Sequence, residues 1–62
     1  MQLFTTILGR RVEVSSGSQS GKTGTAVAVY VAKDNLWVSV AMDGEGQIYD
    51  FPITGLKLLP LG

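Results

Sequence analysis

Cysteine and histidine are both absent from the chain, and together the two absences exclude more chemistry than any motif suggests. Without cysteine there is no disulfide and no thiolate ligand for a structural zinc, and without histidine the other common zinc ligand is missing. No metal site is expected. Imidazole-activated serine or cysteine nucleophiles are excluded for the same reason, as is the usual general base near neutral pH. Charge is scarce too: five basic and five acidic side chains make up 16% of the chain and cancel to a net charge of zero. A dedicated nucleic-acid binder normally spreads a basic field over one face, which this composition does not supply. Long apolar runs are also lacking. The longest, Ala26 to Ala32, falls far short of the roughly 20 residues that span a bilayer, so no membrane partner is expected. No basic stretch precedes the first apolar residues, so the N-terminus does not read as a signal peptide, and the expected location is cytoplasmic.

What remains is 62 residues, 45% of them hydrophobic, with eight glycines spread through the chain. The expected organisation is a single domain over 1–62, with 1–8 as a mobile N-terminal segment. A chain this short buries only about 60% of the surface its unfolded form exposes, so its core is marginal alone. With disulfides and zinc excluded, oligomerisation is the expected source of extra stability.

Period-two alternation predicts strands. Arg11 to Ser15 alternates valines with charges, as a half-buried strand does, and the small-residue stretch Ser16 to Lys22 predicts a loop. Thr23 to Lys33 reads as a long β-branched strand, Asp34-Asn35 as a turn, and Leu36 to Met42 as a third strand. Asp43-Gly44-Glu45-Gly46 predicts a hairpin turn leading to a fourth strand, Gln47 to Phe51. Pro52 to Gly55 reads as one tight turn before a last strand, Leu56 to Leu59, closed by Pro60. Five short strands without helical periodicity predict an all-β fold, a small five-stranded SH3-like barrel.

Strict alternation would turn Val27, Val29 and Val31 inward and Ala26, Ala28, Tyr30 and Ala32 outward. On the third strand Leu36, Val38, Val40 and Met42 would face in and Trp37, Ser39 and Ala41 out. On the fourth, Ile48 opposes Gln47, Tyr49 and Phe51. In either register one face is too apolar for water, which points to an interface, with Tyr30, Trp37 and Tyr49 as aromatic anchors.

Three motifs bear on function. Ser16 to Thr23 nearly spells a phosphate-binding loop, but serine replaces the first glycine and a strand follows where a helix is needed. Asp43, Glu45 and Asp50 lack the spacing of a calcium loop. Gly9-Arg10-Arg11-Val12 followed by Gly21 to Val27 is similar to the KOW-type strand–loop–strand of RNA- and protein-binding domains. Its three clustered bases gain little from counterion release in a neutral chain.

A sharper resemblance starts at Gln47-Ile48-Tyr49. Gly9-x-Arg11-Val12, Ser16-Gly17, Gly24-x-x-Val27-x-x-Tyr30, Gly44-x-x-Gln47-Ile48-Tyr49 and Leu56 follow the order and nearly the spacing of one family. From Gly9 to Leu59 the chain resembles the plasmid-encoded type B dihydrofolate reductases, which confer trimethoprim resistance. The resemblance implies an SH3-like barrel assembled as a homotetramer around a central pore, where NADPH and dihydrofolate bind side by side and no side chain acts as general acid. Such catalysis rests on positioning, with the hydride chemistry belonging to the cofactor. By position, the resemblance makes Gln47, Ile48 and Tyr49 the catalytic strand. Gln47 would contact both rings, the Ile48 backbone would hold nicotinamide and pterin, Tyr49 would line the pore, and Gly44 would let the cofactor approach the backbone. The family's pore lysine falls at Val14 or Ser15 here, leaving Lys22, Lys33 or another residue to supply a charge. Its interface histidine and tryptophan are replaced as well, leaving Ala26, Ala28, Trp37 and Tyr49 as candidate subunit contacts. The competing expectation is a non-catalytic module of the same fold that binds a protein partner.

Overall fold

The computed structural model describes residues 7–60. They form an all-β fold of five antiparallel strands, β1 (Arg11–Val14), β2 (Thr23–Ala32), β3 (Asn35–Met42), β4 (Ile48–Pro52) and β5 (Leu56–Leu58), with one 3₁₀ turn at Ile53–Gly55. Every predicted strand is present, with bounds displaced by a residue or so. The β2–β3 turn moves from the expected Asp34-Asn35 to Lys33-Asp34. Ala32 pairs with Asn35 across it, and Lys33 and Asp34 both have positive φ, 51° and 63°. Two left-handed central residues are what a two-residue hairpin needs to match the right-handed twist of its strands.

The strand order is β4-β3-β2-β1-β5. The expected barrel is not closed by hydrogen bonds among the described residues: β4 and β5 are opposite edges of one sheet. They are nonetheless consecutive in the chain. Four strand spacings would separate them by about 19 Å in a flat sheet, whereas the stretch from Pro52 to Leu56 reaches at most about 14 Å even fully extended. The sheet must therefore curl, and its concave face encloses the core.

Ile7, Val12, Val14, Ala26, Val38, Val40 and Met42 are buried there, with Val29, Leu36, Tyr49, Phe51, Ile53 and Leu56 packed against them. Val38 and Val40 lie opposite Phe51 and Tyr49 on β4. Ile7 belongs to the 1–8 segment expected to be mobile, but its side chain is core; residues 1–6 lie outside the described residues. Gly24 sits on the same inner face opposite Met42. A Cβ there would lie 2.5 Å from the Ala41 carbonyl oxygen and 2.6 Å from Val40 Cγ1, so only glycine lets β2 and β3 approach this closely.

One irregularity decides which side chains face out. Ala26 pairs with Val40 and Ala28 with Ser39, so Val27 is an extra residue in β2, a β-bulge. Strict alternation fails at that point. Ala26, expected outside, is buried, while Val27, expected inside, is exposed. Beyond the bulge the expectation holds for Val29, packed on the core, and for Ala28 and Tyr30 outside, but fails at Val31, expected inside and 64% exposed beside the β2–β3 turn, beyond the reach of the core.

Candidate binding face

The convex face of the sheet is built in rungs set by the strand registers. Glu13 lies between Lys57 and Thr23, and Arg11 opposes Thr25, which opposes Ala41 and then Ile48. The next rung is Ala28, Ser39, Asp50, and the one after it Tyr30, Trp37, Pro52. The face thus divides into a charged half over β5, β1 and the start of β2, and an apolar half over the rest of β2, β3 and β4.

In the charged half Arg11, Thr23, Thr25 and Asp43 form one network, beside which Glu13 and Lys57 lie opposite each other in register. Arg11 Nη1 and Nη2 both donate to the Asp43 carboxylate, and Nη1 also donates to Thr25 Oγ1 at 3.0 Å. Thr23 Oγ1 donates to Asp43 at 2.7 Å. The hydrogen bonds from Arg11 and then Thr23 lower the Asp43 pKa from 3.8 to about 2. This network ties the β3–β4 turn across β2 to β1. Such an exposed pair contributes through geometry more than through charge, because solvent screens it.

The apolar half carries one charge. Val27 is 46% exposed, Ile48 62% and Tyr30 36%, around the small side chains Ala28 and Ala41. In their midst the Asp50 carboxylate accepts Tyr30 Oη on Oδ2 and Ser39 Oγ on Oδ1, both at 2.7 Å. The two hydroxyls, Tyr30 first, hold its pKa below the ordinary carboxylate value. Trp37 is half-buried and its indole N–H donates to the Ala32 carbonyl at 3.1 Å, which fixes the ring at the β2–β3 end of the face.

The residues singled out by the sequence fall into two environments. Gln47 and Ile48 are exposed where the turn enters edge strand β4. Tyr49 points the other way. Its ring packs on the core beside Phe51, with centroids 6.3 Å apart, and its hydroxyl donates to Gln47 Oε1 at 2.8 Å. Tyr49 therefore does not join Tyr30 and Trp37 in one patch. Gly44 lies in the turn with φ 76°, a conformation that explains its glycine without a ligand. Lys22 reaches this corner, pairing with Glu45 at 2.9 Å; Glu45, and more weakly Tyr49, raise its pKa. Of the candidate lysine positions, Val14 is buried in the core and Ser15 is exposed. Ala26, a candidate subunit contact, is also core.

No enclosed cavity or cleft occurs among the described residues, and no helix among them is long and apolar enough to cross a membrane. No family model, curated protein or solved structure matches the chain. Sequence reasoning missed Asp50 as part of a binding face, because only the three-strand register brings Tyr30 and Ser39 to it.

Proposed function

We propose that the chain is a small binding module that presents the apolar half of its convex face to a protein partner. The carrying observation is that Tyr30 and Ile48 are exposed on the rungs to either side of Ala28, Ser39 and Asp50, with Val27 exposed at the bulge of β2 between them. Exposed apolar patches of this kind on small proteins mark interaction sites. The aromatic and aliphatic anchors are set in a face largely free of charge, the composition of an interface centre. Selection of displayed random peptides against the 62-residue chain tests this reading. Peptides that bind it and lose affinity for Ile48→Lys are expected; peptides that bind both equally, or none at all, overturn it.

A second reading keeps the reductase suggested by Gln47-Ile48-Tyr49. What supports it is the corner where Gln47 and Ile48 are exposed, Gln47 is oriented by the Tyr49 hydroxyl, and Lys22 stands by through Glu45. The Gln47 amide nitrogen and the Ile48 backbone suit a planar carboxamide or pterin ring. They fit the ring end of NADPH better than its phosphates, since Lys22 is neutralised by Glu45. Bound NADPH would supply the hydride. With no cleft among the described residues, the site would require several copies, a homotetramer in this reading, with dihydrofolate seated beside the cofactor. Gln47 would orient the rings and Ile48 would shield them from water. Consumption of NADPH in the presence of dihydrofolate, lost in Gln47→Ala, is the expected result. Absence of turnover in the wild-type protein at high substrate eliminates this reading.

A further inference from the structure

The exposed carboxylate at the middle of the apolar half is held in one orientation by two hydroxyls. An ionised carboxylate offers about four acceptor positions, two on each oxygen. In Asp50 one position on each oxygen is filled from within, Oδ1 by Ser39 and Oδ2 by Tyr30. One acceptor position per oxygen is left, and the two hydroxyls keep the group from rotating away. Two parallel acceptors on one planar group match the fork of a guanidinium, whereas an ammonium offers a single point charge.

We propose that the partner segment docks an arginine side chain on Asp50, flanked by apolar residues that cover Val27, Ala28 and Ile48. This rests on the binding-module reading and names the chemistry of its partner. Charge complementarity selects the occupant: Asp50 is the one charge on these rungs, so any partner that covers the face must bring a cation or leave a carboxylate uncompensated. An anionic partner, a nucleic acid or an acidic membrane surface among them, is repelled at the same point. A second copy brought face to face by a two-fold axis near Asp50 sets two carboxylates against each other.

The test uses the full chain and three synthetic peptides of alternating leucine and valine around a central arginine, lysine or glutamine. Titrations are followed by amide chemical shifts. The arginine peptide is expected to bind about tenfold more tightly than the glutamine one, the scale of a hydrogen bond to a charged group, with lysine between them. Shifts should map to β2, β3 and β4. In Asp50→Asn the arginine preference should vanish while glutamine-peptide binding persists. Tyr30→Phe and Ser39→Ala should each reduce the preference of arginine over lysine. Equal binding of all three peptides to the wild-type chain, or an unchanged arginine preference in Asp50→Asn, overturns the assignment to Asp50 and leaves the apolar face standing. No binding of any peptide, or growth of molecular mass with concentration in place of binding, overturns the assignment together with the reading beneath it.

Discussion

The two halves of the convex face are made from the same strands yet solve the problem of exposure in opposite ways. Over β1 and the start of β2, Arg11, Thr23, Thr25 and Asp43 bond one another, with Glu13 and Lys57 beside them in register. Over β3, β4 and the end of β2 the strands present Ala28, Tyr30, Ala41 and Ile48, and the one carboxylate keeps part of its bonding capacity open. Between them lies the Val27 bulge. On the proposed reading the unfinished half carries the interaction site, while the Arg11–Asp43 network of the charged half holds the β3–β4 turn in place.

The strongest way to break this arrangement is at the seam beneath both halves. Gly24→Ala puts a Cβ against the Ala41 carbonyl and Val40. Backbone cannot give way as a flexible side chain can, so β2 and β3 must separate, at an expected loss of about 3 kcal/mol. Urea denaturation measures it. A loss below about 1 kcal/mol would mean the strands are not held this close in solution.

A smaller change of opposite sign is expected at the hairpin that carries the aromatic rung. Lys33 takes φ 51° and Asp34 63°, conformations that asparagine and glycine adopt at less cost. Lys33→Asn with Asp34→Gly should stabilise the protein by about 1 kcal/mol, read as a higher thermal midpoint. No gain would mean that the turn is not of this type.

These positions also mark what was legible in the sequence. Alternation gave the five strands, and on β3 it gave the inner and outer sets correctly, because Leu36 to Met42 runs without a break. On β2 it misplaced Ala26 and Val27, since a bulge leaves no trace in a run of valines and alanines that suits either face, and Val31, which lies past the end of the core. On β4 alternation set Ile48 opposite Tyr49 correctly, but could not tell that the tyrosine faces the core. That is fixed by pairing with Val40, a long-range fact. The barrel expectation followed from strand count and turns. Hydrogen-bond closure depends on whether two edge strands meet, which no local pattern encodes. The Asp50 site was illegible for the same reason, being assembled from residues 30, 39 and 50.

Acid separates the halves more gently. The folded pKa of Asp43 is about 2 against an ordinary 3.8, so the stability it contributes is fully present above about pH 4 and is lost as pH falls through about 2. Asp50, also lowered, acts in the same direction. Arg11→Met removes the larger cause of the Asp43 shift and should flatten part of this acid dependence, leaving the part due to Asp50. Denaturation midpoints followed from pH 6 to pH 2 measure both. An identical pH profile in the variant would show that the guanidinium does not hold Asp43 in solution. Added salt should also weaken the Arg11 contribution, because both partners are exposed.

The smallest expected effect on stability is the most telling for function. Ile48 lies on an edge strand, 62% exposed, with Ala41 beside it, so Ile48→Lys removes almost no buried area and should change the unfolding free energy by less than about 0.5 kcal/mol. A lysine placed next to Asp50 supplies in cis the cation that a partner would otherwise bring. The variant should therefore fold as well as the wild type, or slightly better, while losing the docking face. Calorimetric unfolding at two protein concentrations checks this. A loss above about 1 kcal/mol that grows with concentration would mean that Ile48 is already covered by a second copy, placing the unfinished half of the face at a self-interface.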